Sequence, residues 1–303
     1  MIINQSTIRD TFQSFNTVFN MAFQEVKPQF SRVAMEVPSE TKDETYAWLG
    51  AVPSMREWIG EREVKNLSSY GYTIQNRDFE LTVSVPRNDI EDDSIGVYKP
   101  MFQDLAYSAG RHPDKLVFSL FSKSFSEKCF DGKPFVSESH ASEIKGKNAI
   151  VQSNKGTDIL TPDSYSAARS SMMALFDDAG NPLYIVPDLL VVAPQNEAVA
   201  RKIVYAEEIG NETNVFKGTA DILVVPELAT NPKQWFLLCT TRPVKPFIFQ
   251  NRRKPQLVGK DSPTDDNVFW KKAFVYGVDM RCNAGYGLWQ LAYGSDGTTG
   301  GAS

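Results

Sequence analysis

In YGYTIQNRDFELTVSVP, Tyr70 to Pro86, apolar and polar residues alternate along most of the stretch. Tyr70, Tyr72 and Ile74 fall on one side, and Phe79, Leu81, Val83 and Val85 repeat the pattern after Gln75-Asn76-Arg77-Asp78. A period of two is the mark of a half-buried strand, and a polar cluster between two such runs reads as a turn. The stretch therefore predicts a long β-hairpin over 61–89. A hairpin alone is marginally stable in water, so one this long leans on something outside itself. Arg62, Glu63, Lys65, Arg77, Asp78 and Glu80 stud it with charge. Either those charges form a solvated outer face, or they make ionic contacts from a reaching arm to a second copy.

Upstream, the period lengthens. Ile8, Phe12, Phe15, Phe19, Ala22 and Val26 recur every three or four residues, which predicts an amphipathic helix over 6–27. Thr7 with Asp10 suits a capping pair, and Pro28 ends the run. Three phenylalanines on one stripe must be covered, by the chain's own body or by a neighbouring subunit. Downstream, Glu91-Asp92-Asp93 suits the positive end of a helix. Tyr98, Phe102, Leu105 and Ala109, then Leu116, Leu120 and Phe121, predict a long helix over 95–126, kinked or broken at His112-Pro113-Asp114.

The rest alternates between the two periods. Short strands are expected at 135–136 and 149–151, with Asp131-Gly132 as a turn. Thr161-Pro162 opens a helix with Tyr165, Ala168, Met172 and Leu175 inward. Leu189 to Ala193 is a continuous apolar run, as in a strand buried on both faces, and a helix follows to Ala206. Strands are predicted at 222–225, 235–240, 244–250, 268–282 and 286–293, with a loose tail from Gly297. The class is α+β.

Bulk properties narrow the function. The chain has 303 residues, 42% of them hydrophobic, and a net charge of −5 with both signs mixed. That is enough chain for a sizeable core, without the basic excess of a protein that grips nucleic acid by its phosphates. No unbroken apolar run is long enough to span a membrane, and the first residues have no secretory pattern. Cys129, Cys239 and Cys282 are odd in number and far apart, so neither a disulfide framework nor a zinc cluster follows from them. Their usage suits a reducing cytoplasm.

The best catalytic constellation is Cys129 as nucleophile, His140 as base and Asp131 as orienter. The three sit within twelve positions with no family-type flanking motif, so the expectation is a structural cysteine and no catalytic residues. Gly285-Tyr286-Gly287 lacks dinucleotide or phosphate-loop spacing and reads as a strand irregularity. Arg252-Arg253-Lys254 reads as a solvated charge cluster. No cofactor and no metal are expected.

Four segments resemble the Mu-like phage major head subunit, or gpT, family: YAWLGAVPSMREWIGER (Tyr46–Arg62), LSSYGYTIQNRDFELTVSVPRNDIEDDSIGVYKP (Leu67–Pro100), CFDGKPFVSESH (Cys129–His140) and AGYGLWQLAYGS (Ala284–Ser295). PDLLVVAP, Pro187 to Pro194, is similar to a phrase common among phage capsid proteins. The resemblance implies an HK97-type capsid fold, with an N-terminal arm (1–60), an extended loop hairpin (61–92) and a peripheral domain with a spine helix (93–184). It further implies an axial domain (185–243), a return to the peripheral domain (244–282), and an axial end with a flexible tail (283–303). It implies a shell subunit forming hexamers and pentamers around double-stranded DNA without sequence-specific binding. Scaffold, portal and decoration proteins are the implied partners; the short arm points to a separate scaffold. Ile8, Phe12, Phe15, Phe19, Arg62, Glu63, Tyr70, Tyr72, Arg77 and Asp78 are the expected assembly contacts. Two alternatives stand beside this: an encapsulin-like nanocompartment shell of the same fold, and a cysteine hydrolase.

Overall fold

The computed structural model describes residues 5–50, 71–92, 94–142, 150–177 and 180–299. The chain runs α1 (Gln5–Glu25), β1 (Ala34–Pro38), β2 (Asp43–Tyr46), β3 (Tyr72–Gln75), β4 (Arg77–Pro86), α2 (Arg87–Glu91) and α3 (Lys99–Lys123). Then come β5 (His140–Ser142), β6 (Ile150–Gln152), β7 (Lys155–Asp158), α4 (Pro162–Met173), β8 (Leu189–Val192) and α5 (Glu197–Tyr205). It finishes with β9 (Glu208–Ile209), β10 (Glu212–Thr213), β11 (Asp221–Val224), β12 (Trp235–Leu238), β13 (Phe247–Lys260), α6 (Asp266–Lys271), β14 (Ala273–Tyr286) and β15 (Ala292–Thr299).

Two sheets organise these elements. One has the order β1-β13-β14-β4 and is antiparallel except where β1 joins β13. The other has the order β11-β8-β12-β15-β7. Its central strand pairs are antiparallel, and parallel β11 and β7 close its edges. All four residues of β8 are buried, as its unbroken apolar run requires. Helices α1 and α3 cover the first sheet around Phe15, Phe102 and Tyr276. The larger core joins the second sheet to the far end of α3 and the near end of β13.

Local chemistry explains the boundaries. Thr161 caps α4: its hydroxyl accepts from the Ser164 amide at 3.1 Å, Ser164 Oγ accepts from the Thr161 amide at 2.9 Å, and Pro162 fills the first turn. Helix α1 begins at Gln5, so Thr7 lies inside it, not at its cap. Helix α3 continues unbroken through Pro113, where a kink or a break was expected. An interior proline costs about 3 kcal/mol. Burying Phe102 and Leu105 on one side of it and Val117, Phe118 and Phe121 on the other gives about 1.5–3 kcal/mol each. Packing wins.

The predicted hairpin over 61–89 does not form in its described part. Strands β3 and β4 are separated by Asn76 alone and do not pair; β3 pairs with β2, while β4 runs along β14. One residue cannot reverse the chain, so it passes straight from one sheet into another. The period of two marked the strands but not their partners. Four further differences follow from tertiary context. Glu91 ends α2 instead of opening α3. Residues 266–271 form a helix at the tip of the β13–β14 hairpin, inside a region expected partly as strand. Strand β15 extends to Thr299, past the expected start of a loose tail. Strand β7 belongs to the five-stranded sheet, so that layer draws chain from before residue 184.

Candidate assembly surface and a buried Cys-Asp-His cluster

The short ribbon β2–β3 is anchored by a buried polar network. Gln250, fully buried on β13, accepts from the Tyr46 hydroxyl at 2.9 Å and donates to Asn76 Oδ1 at 2.8 Å and to the Ile74 carbonyl at 3.2 Å. Asn76 donates in turn to Ser39 Oγ at 2.8 Å and the Thr41 carbonyl at 2.9 Å. The satisfied network fixes the root of the ribbon against β13, and unmade bonds there would be costly. Burial pushes the Tyr46 and Tyr72 phenols up to about 12. The Tyr72 hydroxyl accepts from the Tyr286 amide at 3.0 Å, tying the ribbon to β14.

Apart from Tyr72, half-buried and bonded to β14, the expected contact residues divide into three groups. Ile8, Phe15 and Phe19 are buried inside the chain itself, against α3 and the four-stranded sheet. Phe15 stacks on Phe102 with ring centroids 4.0 Å apart and meets Tyr276 edge-on at 5.3 Å. The half-buried Phe12 lies over Tyr276. The helix stripe is thus covered at home, because Tyr276 and Phe102 already supply the apolar surface it needs. Arg77 and Asp78 are exposed at the start of β4, and Asp78 faces Arg281 of the same chain at 3.8 Å. Arg62, Glu63 and Tyr70 lie outside the described residues.

Other exposed apolar groups carry no sequence signal of their own. Phe269 and Trp270 on α6 are 72% and 76% exposed and meet edge to face at 4.8 Å. They project at the tip of the β13–β14 hairpin, whose outer half is itself largely exposed. Their segment is too short for periodicity to show which side faces out. Such a pair leaves a sizeable apolar area uncovered by the chain itself.

The triad considered from sequence is assembled in space. The Cys129 thiol donates to Asp131 Oδ1 at 3.1 Å, and Asp131 Oδ2 meets His140 Nδ1 at 2.5 Å. The tight turn at Gly132 (φ +77°) brings 129 and 131 together, and the imidazole of His140 stacks on Trp289 at 4.0 Å. The groups are within reach, but in the wrong order for nucleophilic catalysis. The thiol is bonded to a carboxylate rather than to the imidazole. Burial first, and the Asp131 charge second, push the thiol well above its ordinary range, so the thiolate is suppressed. Burial works to raise Asp131 as well, but hydrogen bonds from His140, the Lys133 amide and Cys129 outweigh it and leave the carboxyl below its usual range.

The profile of the Mu-like prophage major head subunit gpT matches residues 8–159, 154–228 and 229–301. The major capsid protein of Escherichia phage Mu is 31% identical over 294 residues, 96% of this chain and 74% of that protein. Among solved structures, the procapsid of bacteriophage JBD30 is 31% identical, with 97% of this chain and 76% of that one covered and a TM-score of 0.62. The holo-SrpI encapsulin complex of Synechococcus elongatus PCC 7942 aligns at 10% identity, 92% and 91% coverage and a TM-score of 0.51, a likeness of fold alone. The fold is the α+β capsid fold of the HK97 type, and the family is one of structural capsid proteins. With matches running nearly from end to end, the chain belongs to the Mu-like prophage major head subunit gpT family.

Proposed function

We propose that this chain is the shell-building subunit of a tailed-phage head, closing as hexamers and pentamers around double-stranded DNA, with a structural and not a catalytic role. The observation that carries this is the end-to-end likeness, at 31% identity, to a capsid subunit both in sequence and in a procapsid. The β2–β3 ribbon, with 47–71 between its strands, takes the place of the extended loop assigned from sequence to 61–92. The four-stranded sheet with α3 corresponds to the peripheral domain, and the five-stranded sheet to the axial domain. Arg62, Glu63, Tyr70 and the exposed Arg77 remain in the contact set; Ile8, Phe15 and Phe19 leave it. Phe269 and Trp270 join it, since two exposed aromatic rings bury about 150–250 Å² each when covered. Scaffold, portal and decoration proteins are the further partners, with assembly in the host cytoplasm and residence in the virion. The acidic balance suits a wall that does not clutch phosphates while DNA is packed.

The test is expression with the scaffold, followed by negative-stain microscopy. Shells that package nucleic acid are expected; shells that exclude it and enclose a protein cargo would favour the nanocompartment, and no shells would refute both. Replacing Phe269 and Trp270 by Ser should leave stability within about 0.5 kcal/mol, as for other exposed substitutions, yet abolish closed particles. Normal particles from the double variant would remove α6 from the contact set.

A further inference from the structure

We propose that Cys129, Asp131 and His140 form a binding site for a zinc-class divalent cation. A thiol sulfur, a carboxylate oxygen and an imidazole nitrogen lie within 4.8 Å of one another. A soft sulfur and a borderline nitrogen beside one hard oxygen select zinc over magnesium or calcium. Metal bonds of about 2.0–2.1 Å to nitrogen and 2.3 Å to sulfur put tetrahedral neighbours roughly 3.3–3.7 Å apart. The observed 3.1 Å and 2.5 Å separations run to opposite oxygens of Asp131, so these must open by up to about 1 Å while the sulfur and imidazole, within 4.8 Å, draw together by a similar amount, movements within reach of side-chain rotation.

The surroundings hold the donors in place. The Gly132 amide donates to the Cys129 carbonyl at 3.0 Å, the Cys129 amide to the Lys133 carbonyl at 2.8 Å, and the Lys133 amide to Asp131 Oδ1 at 2.9 Å. Stacking on Trp289 sets the plane of the His140 ring. His140 is fully buried, Nε2 has no partner among the described residues, and Nδ1 makes its polar contact into the cluster. The Asp131 side chain keeps 13% of its surface exposed and provides the way in.

Charge favours the cation. A dication with a thiolate, a carboxylate and a neutral imidazole makes a buried group of zero net charge, where two bare anions would repel. Binding replaces the thiol proton by a sulfur–metal bond and shifts the imidazole proton from Nδ1 to Nε2, so one proton, that of the thiol, is released and affinity should rise with pH. Three protein ligands leave the fourth tetrahedral position to water. The site lies where the 127–140 loop meets Trp289, between the end of β14 and the start of β15. A bound ion would therefore pin the junction of the two sheets, and it need not alter the shell-building role.

The test uses the purified full chain and, separately, assembled particles. Zinc measured after gel filtration should approach one equivalent per chain, and added zinc should raise the unfolding temperature by several degrees. Cobalt(II) should give a sulfur-to-cobalt charge-transfer band in the near ultraviolet. Cys129→Ser, which keeps a hydroxyl donor to Asp131, should lose that band and weaken zinc binding at least tenfold. Less than a tenth of an equivalent of zinc, with neither cobalt band nor thermal shift in the unaltered chain, would overturn the site. That outcome would leave a hydrogen-bonded loop lock and would not touch the capsid assignment.

Discussion

Glu44 gathers four hydrogen bonds on one carboxylate oxygen. Ser39 Oγ, the Glu40 and Thr41 amides and Thr41 Oγ1 all donate to Oε1, at 2.9 to 3.1 Å. The Glu40 amide leads, followed by the Thr41 and Ser39 hydroxyls, and together they hold the carboxyl down from 4.5 to about 2. A depressed carboxyl supports the folded form above its ordinary value and loses that support as pH falls. The turn before β2 should therefore loosen progressively from about pH 4.5 to pH 2, followed by the Glu40 and Thr41 amide shifts of the unassembled subunit. Glu44→Gln should loosen it at neutral pH and flatten the profile; an unchanged profile would refute the role. At this scale the sequence was partly legible. The residue types at 129, 131 and 140 advertised chemistry, but nothing in their spacing could tell that the thiol bonds to the carboxylate and the imidazole sits on Trp289.

Among elements, the outcome turned on pairing. Alternation at Phe79, Val83 and Val85 identified β4, and the apolar run at 189–192 identified β8, because burial imposes those periods whichever strand lies alongside. Partners are chosen by distant chain, which is why β3 and β4 were joined wrongly and why α6 was missed. The glycines at 285 and 287, read as an irregularity, have a definite cause. A Cβ on Gly285 would lie 2.6 Å from Ile74 Cδ1 and 2.9 Å from the Tyr72 hydroxyl, and one on Gly287 would lie 2.5 Å from the Lys245 carbonyl. The ribbon crosses β14 at Gly285 with no room to spare. Gly285→Ala should cost about 1–3 kcal/mol, as other overpacked sites do, and should speed proteolysis within 47–71 more than elsewhere. Uniform protection would show that Ile74 simply shifts aside.

For the molecule as a whole, the first helix belongs to the subunit's own stability. Phe15 closes the smaller core with Phe102 and Tyr276, so Phe15→Ala should cost about 3–5 kcal/mol, against a total of about 5–15 kcal/mol for a typical domain. Chemical denaturation of the isolated subunit should register the loss before any assembly assay does. A stable subunit that fails only to assemble would return α1 to the intersubunit role. What stands exposed instead is the α6 tip, with Phe269 and Trp270. The single residue Asn76 between β3 and β4 sets how the ribbon can respond to load. A joint one residue long, bolted to Gln250 and Ser39, has no slack. A load on the ribbon would act as torque directly on the edge strand of the four-stranded sheet, like a crank fixed to its shaft, with no compliant joint to absorb it.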